Sequence, residues 1–438
     1  MAKRKKIQDN DTGYNCLRCY VCGTLKRSYR RTRFIGKERI PKDGAVILAP
    51  NHTGALLDAL IILTMAKQPV VFLARADIFK NPKLAKIFRF FKMMPVMRMR
   101  DGFEEVKKNN RTIEIAADVL KSRVPICIFP EGTHQTKRSM LPLSKGIFRI
   151  ALQAKSIMPD TPLYIVPVGV RYGNWFRYRS TVTVQIGKAI NVGEFISQNE
   201  EMTPQEQINK MRKLLDERMK ENIFYIPNDE AYDATAEICA AMSAEQLKKL
   251  KGQAKEADIM TLADNMTVKK LGEIRAKDER LAEKLVSLGN EAFELRNRKR
   301  ISLKSVARRS TPLCNIMKSL LLLATLPYTL AAMAAVSPTA LLNSILLKKF
   351  KDRAFHNSVR FVINLVIWPL LLAIYAVIAF VFLPAHWALL AVVCTIPAPA
   401  VAQDAWRAVR IMISDCKLCS CRALRNKYDE IREIILNN

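Results

Sequence analysis

The sequence predicts an α/β domain followed by a C-terminal helical insertion and membrane-embedded helical hairpins. Three observations carry that expectation. Short apolar runs alternate with helix-like stretches between residues 44 and 190. No proline occurs between Pro227 and Pro312, in a stretch rich in Ala, Lys, Glu and Leu. Two long apolar regions, 313–347 and 361–402, follow it. Short apolar strands alternating with helices imply a largely buried sheet.

Along the chain, residues 13–33 read as an amphipathic basic helix. Tyr14, Leu17, Val21 and Leu25 lie on its apolar side, with Arg27, Arg30, Arg31 and Arg33 toward its end. Such a helix suits an anionic membrane surface or a packed core face equally. Strands are expected at 44–50, 70–74, 124–129, 163–170 and 181–187, and helices at 55–66, 83–92, 103–122 and 144–155. A helix over 203–222 is marked by Thr203 as cap, Pro204 at its first position and Glu206 closing a capping box. Ser243 and Gln246 suggest a second capping box inside the charged insertion. The expected segments are a basic N-terminal helix (1–34), an α/β domain (35–225), a charged helical insertion (226–310), membrane helices in two hairpins (311–412) and a basic C-terminal tail (413–438).

The first apolar region is interrupted by Pro327 and Pro338, the second by Pro384, Ala385 and His386. A span needs about 20 apolar residues, which 361–383 supplies alone. Basic clusters flank both regions: Arg296 to Arg309 before, Lys348 to Arg360 between, and Arg407 to Arg425 after. The positive-inside rule then puts all three on the cytoplasmic side, with each region entering and leaving on that side. The net charge of +31 fits an anionic membrane. A specific nucleic-acid partner is not expected, because the basic residues are dispersed and no nucleic-acid-binding signature occurs. The basic start MAKRKK is followed by no apolar run, so the ten cysteines are expected reduced. Cys16, Cys19 and Cys22, like Cys416, Cys419 and Cys421, read as helix positions, not metal ligands, with no histidine near them.

The chemistry-bearing residues follow strands. Asn51 and His52 follow the first, with Asp58 six residues beyond the histidine. A neutral imidazole can take a hydroxyl proton, and a nearby carboxylate fixes the ring and stabilises the imidazolium. Phe129-Pro130-Glu131-Gly132-Thr133 follows another strand; its glycine permits close backbone approach and an amide aimed at an oxyanion. Pro95 to Arg100 (PVMRMR) supplies Arg98 and Arg100, which suit a phosphate, and Lys145 adds charge or simply a solvated surface group. Val166-Pro167-Val168 lies on the strand at 163–170.

Taken in order, NH…D, PVMRMR, FPEGT and VPV resemble the four blocks of the glycerolipid acyltransferase family, which includes lysophosphatidate and glycerol-3-phosphate acyltransferases. The resemblance covers roughly residues 35–200. It implies an α/β acyltransferase domain with His52 as base and Asp58 as its orienting partner. It further implies Asn51, Glu131, Gly132 and Thr133 on the substrate side, and Arg98, Arg100 or Lys145 on the phosphate. Five residues separate His52 from Asp58 where the family's commonest spacing is four, and His134 replaces the usual arginine after the PEGT segment. One added residue turns a regular helix by about 100°, so the pair requires His52 in the loop before the helix. The implied reaction moves a fatty acyl group from a thioester to the free hydroxyl of 1-acylglycerol-3-phosphate. Glycerol-3-phosphate is the alternative acceptor, and a silent membrane scaffold the alternative of another class. No cofactor is implied; acyl-CoA or an acyl carrier protein thioester serves as co-substrate. The implied partners are membrane lipids and the glycerol-phosphate acceptor, and the implied location is the membrane, with the catalytic domain on the cytoplasmic side.

Overall fold

The computed structural model describes residues 6–96, 109–250, 258–308 and 311–438. The chain divides into two compact units, residues 1–223 with 352–358, and the remainder.

Unit 1 contains α1 (Thr12–Ser28), β1 (Tyr29–Ile35), β2 (Ala45–Pro50), α2 (Leu56–Met65), β3 (Val71–Arg75), α3 (Pro82–Phe90) and β4 (Met93–Val96). It continues with α4 (Asn109–Lys121), β5 (Ile126–Cys127), α5 (Gly146–Ile157), β6 (Leu163–Tyr172), β7 (Ser180–Ile186), β8 (Ile190–Asn191), α6 (Val192–Ser197) and α7 (Pro204–Glu221). The strands form one sheet in the order β1-β7-β6-β2-β5-β3-β4, with β8 paired to β6. All described pairings are parallel except those of β6 with β7 and β8. Strand β2 is buried at every position, which explains why its sequence reads as one apolar run and not an alternation. Ile47, Val71, Ile126 and Leu163 pack with Phe148 of α5, Leu120 of α4 and Met211 of α7 in the main core.

The N-terminal helix is shorter than the sequence suggests. It ends at Ser28, and residues 29–35 form a strand parallel to β7. Ladder hydrogen bonds from β7 override the helical pattern there, and Arg30, Arg31 and Arg33 stand on a strand. Tyr14 and Leu25 are buried, and Arg18 donates to the Ala66 carbonyl at the end of α2, so this helix is integral to unit 1. The expected Thr203 capping box is present, with Glu206 returning to the Thr203 amide at 2.8 Å.

Unit 2 is helical: α8 (Tyr232–Lys249), α9 (Ile259–Lys277), α10 (Glu279–Arg298), α11 (Leu303–Arg308), α12 (Pro312–Ala324), α13 (Leu326–Lys349), α14 (Phe355–Phe382), α15 (Ala385–Thr395), α16 (Ala398–Ser420) and α17 (Arg422–Asn437). Ser243 and Gln246 lie inside α8 and are buried, so they cap nothing. The C-terminal segment is no solvated tail. Leu424, Tyr428, Ile431 and Ile435 of α17 share a core with Ile238 and Met242 of α8 and with Leu285 and Ala292 of α10. Their spacing of 4, 3 and 4 is a helical stripe that the surrounding charges obscure.

Helices α13 and α14, of 24 and 28 residues, are long and apolar enough to cross a membrane. The pair α15–α16, bent by 48°, could form a third span. Pro338 and Pro369 sit inside α13 and α14 without ending them. The first apolar region is therefore a 13-residue helix followed by a long one. Thirteen residues reach only about 20 Å, short of a bilayer core of about 30 Å.

Candidate active site

Strands β2, β5 and β6 are adjacent and parallel, so their C-terminal ends open onto the same edge of the sheet, where α/β folds display ligand-binding groups. Those ends bring together His52, the 129–134 turn and Tyr172. Helix α2 begins only at Leu56, so His52 stands in the preceding loop. The five-residue spacing is thereby accommodated: His52 Nδ1 lies 2.8 Å from Asp58 Oδ2.

Asp58 is fully buried, in the first turn of α2. Its Oδ2 also accepts the Thr53 and Gly54 amides at 2.8 and 2.7 Å, and its Oδ1 accepts the Tyr172 hydroxyl. Four donors thus replace the water this carboxylate has lost, and the helix N-terminus favours its charge. Burial, and then the Asp58 charge, push the Tyr172 phenol well up, so it serves as a neutral donor. The loop conformation that allows this has two requirements. Ala55 has φ +51°, and a Cβ on Gly54 would sit 2.7 Å from the Tyr172 hydroxyl and 2.8 Å from Asp58 Oδ1. A residue larger than glycine at position 54 would displace the hydrogen bond that orients Asp58.

The 129–135 segment is fastened to the histidine by two hydrogen bonds and a stacked ring. Glu131 Oε1 accepts the His52 amide at 2.8 Å, the Gln135 amide donates to the His52 carbonyl at 3.1 Å, and the Phe129 ring stacks on the imidazole at 4.2 Å. Glu131 Oε2 accepts the Leu141 amide at 2.9 Å, so both carboxylate oxygens are held by backbone. Burial pushes this carboxyl up to about 7, against the pull of the two amide donors. Gly132 has φ +68°, and its vacant Cβ direction meets nothing within 4 Å among the described residues. Glycine is needed there for the backbone angle, and no described residue fills that side of the turn.

Several expected site residues have other tasks. Asn51 is buried, and its side chain clasps β6: Oδ1 accepts the Val170 amide at 2.6 Å and Nδ2 donates to the Val170 carbonyl at 3.2 Å. It fixes the strand end instead of facing a substrate. Glu131 likewise ties loops together, and the Gly132 amide is spent on the Phe129 carbonyl at 3.1 Å. Thr133 is exposed. Lys145 precedes α5, next to Ser144, whose amide donates to the Pro130 carbonyl at 2.7 Å, so it lies along the chain from the turn. Arg98 and Arg100 lie outside the described residues. Sequence reasoning missed Tyr172 and Gly54. The signal for Tyr172 was its place at the end of the strand holding VPV, two residues beyond Val170.

The acyltransferase family model matches residues 31–171, a stretch that begins in β1, includes His52, Asp58 and the 129–133 turn, and ends beside Tyr172. The chain carries an acyltransferase-family domain. Among curated relatives of this domain is glycerol-3-phosphate O-acyltransferase 2 of Saccharomyces cerevisiae, 26% identical over 190 residues, covering 41% of this chain and 25% of the yeast protein. Another is the 1-acyl-sn-glycerol-3-phosphate acyltransferase of Cocos nucifera, 27% identical over 117 residues, covering 26% of this chain and 35% of the coconut protein. Both matches span well under two thirds of the relative's own length. Among solved structures, the 1-acyl-sn-glycerophosphate acyltransferase of Thermotoga maritima is similar at 22% identity and a TM-score of 0.33, covering 48% of this chain and 83% of that one.

Proposed function

We propose that the acyltransferase domain moves a fatty acyl group from a thioester to the free hydroxyl of 1-acylglycerol-3-phosphate, giving phosphatidate. The observation that carries this reading is the His52–Asp58 hydrogen bond of 2.8 Å beside the 129–133 turn. With Nδ1–H donated to the carboxylate, Nε2 is the acceptor for a substrate proton. The acceptor hydroxyl gives its proton to Nε2 as its oxygen attacks the thioester carbonyl carbon. The tetrahedral intermediate then expels the thiolate, which takes the proton back from the imidazolium. No acyl-enzyme is needed. Cys127 is buried on β5, and burial raises its thiol pKa, which suits packing. With the Gly132 amide occupied, the Thr133 amide is the donor assigned to the oxyanion, a contact worth about 3–4 kcal/mol in enzymes where one such donor was removed. Arg98, Arg100 and Lys145 are assigned to the acceptor phosphate. Acyl-CoA or an acyl carrier protein supplies the acyl group, and no metal or cofactor is assigned.

Glycerol-3-phosphate is the second reading, supported by the yeast relative. The site is assigned to the cytoplasmic face of a membrane anchored by α13 and α14. Segment 352–358 supports placing the connection between those helices on the catalytic side, because it belongs to the same compact unit as His52. Labelling of an introduced cysteine at 348–351 from the opposite side would refute that placement. The deciding assay offers both acceptors with both thioester donors to the full chain in lipid. Transfer to 1-acylglycerol-3-phosphate is expected, and His52→Ala is expected to lower it by at least about 10³-fold while leaving membrane association unchanged. Transfer only to glycerol-3-phosphate would establish the second reading. No transfer to either acceptor would favour a scaffold.

A further inference from the structure

We propose that His134 and Asp352 form a positioning pair for His52, so that the linker between two long apolar helices completes the acyl-transfer site. The inference rests on the functional reading above. His134 occupies the position directly after FPEGT, and its ring meets His52 edge-on, with centroids 5.5 Å apart and planes at 70°. Its Nε2 lies 2.9 Å from Asp352 Oδ2. The Phe355 ring meets the same imidazole at 5.1 Å and 88°. Asp352 and Phe355 come from the 352–358 segment, which is more than two hundred residues away in sequence yet belongs to unit 1.

The segment is built to hold that contact. Asp352 Oδ1 accepts the Ala354 amide at 2.8 Å, which orients the carboxylate. Arg353 stacks over Phe176 at 4.6 Å, and Ala354, Asn357 and Ser358 are buried. The Ala354 hydrogen bond first, and His134 after it, hold the Asp352 carboxyl below its usual range, as expected of a carboxylate serving as acceptor.

Magnitudes separate a geometric role from a stabilising one. The Asp352 side chain is 55% exposed, so solvent screening leaves the pair little weight in folding. Its consequence is instead orientational. Among the described residues, Asp58 holds the catalytic ring through Nδ1, and a single hydrogen bond leaves an imidazole free to rock about it. Phe129 on its face and His134 against it restrict that motion. Asp352 in turn fixes which His134 nitrogen bears the proton and how that ring stands.

The test compares Asp352→Ala, His134→Ala and the double variant in the full chain, reconstituted in lipid. Each single variant is expected to lower kcat about 10- to 100-fold, with KM for both substrates within about twofold. The double variant is expected to be no worse than either single one. Asp352→Asn keeps an acceptor for Nε2–H and should recover most of the activity. The chain has four histidines, so ring-nitrogen labelling resolves His52 and His134 directly. Both signals should move in Asp352→Ala and stay in Asp352→Asn. Wild-type kcat in both single variants, losses that multiply in the double, or an unmoved His52 signal would each overturn the pair. Activity lost in His52→Ala yet retained in Asp352→Ala overturns this proposal alone; a wild-type chain without acyl transfer overturns the functional reading and the pair with it.

Discussion

Each unit of this protein contains a buried carboxylate that accepts a tyrosine hydroxyl and a basic side chain. In unit 1, Asp58 takes Tyr172 and His52. In unit 2, Glu237 takes Tyr428 and Arg296, the latter at 2.8 and 2.9 Å. The inventories match, yet only the first can do proton chemistry. Arg296 cannot release a proton and its Nε is spent on Glu237, whereas an imidazole fixed through Nδ1 still presents Nε2. Location differs too. His52 stands at parallel strand ends beside an open glycine turn, while Glu237 lies mid-helix in α8 and is bridged by α10 and α17. A buried ion pair is therefore no sign of a site by itself. What distinguishes the site is a titratable member with one face left for a ligand.

Replacing each network's charge should break them in different ways. The largest effect is expected for Asp58→Asn. Asn can keep its oxygen toward His52, Thr53 and Gly54 while its amide meets the Tyr172 oxygen, so the fold should survive. The imidazolium then lacks its counter-charge, and kcat should fall about 10²- to 10⁴-fold with little change in melting temperature. Arg296→Ala should do the reverse. It strands a buried Glu237, and denaturant melts should show a loss of about 3–5 kcal/mol, with kcat per folded molecule unchanged. A turnover defect in folded Arg296→Ala would erase the distinction drawn between the two networks.

Gly54→Ala sharpens the same contrast on the unit 1 side. The added methyl would sit 2.7 Å from the Tyr172 hydroxyl, and the resulting shift should cost about 1–3 kcal/mol. Because that shift moves Asp58, a kcat loss should accompany it. A destabilised variant with normal kcat would mean that the Tyr172 contact serves folding alone.

How much of this was legible in the sequence follows from where the determining interactions lie. The β2, β6 and β7 runs, His52, Asp58 and the FPEGT turn could be read because apolar periodicity and strand-end placement are local properties. Residues 29–35 could not, since their strand exists only through pairing with β7. The α17 stripe was hidden because Arg422, Lys427 and Arg432 dominate its composition, although Arg432 Nε is spent on the Ala241 carbonyl. The family resemblance puts Asn51 and Glu131 on the substrate side because it matches residue types in motifs and not their hydrogen-bond partners. Their partners, Val170 and Leu141, are backbone groups that no motif displays. The contribution of Asp352 depends on a contact across 218 positions, beyond any local pattern.

The smallest expected effect concerns Glu131, a buried carboxylate of the acyltransferase domain whose hydrogen bonds among the described residues come from backbone amides. Its carboxyl is raised from 4.5 to about 7 by burial, so the folded chain holds that proton more tightly than the unfolded one. The associated stability is fully present below about 4.5 and is lost as pH rises through about 7. The melting-temperature difference between the wild type and Glu131→Gln should therefore shrink as pH is raised from 5 to 8. The amide donors of His52 and Leu141 offset part of the cost of ionisation, which keeps the effect below those of Asp58, Arg296 and Gly54. A difference that grows with pH would mean that Glu131 is ionised and net stabilising in the fold, and so closer in kind to Asp58 than its surroundings indicate.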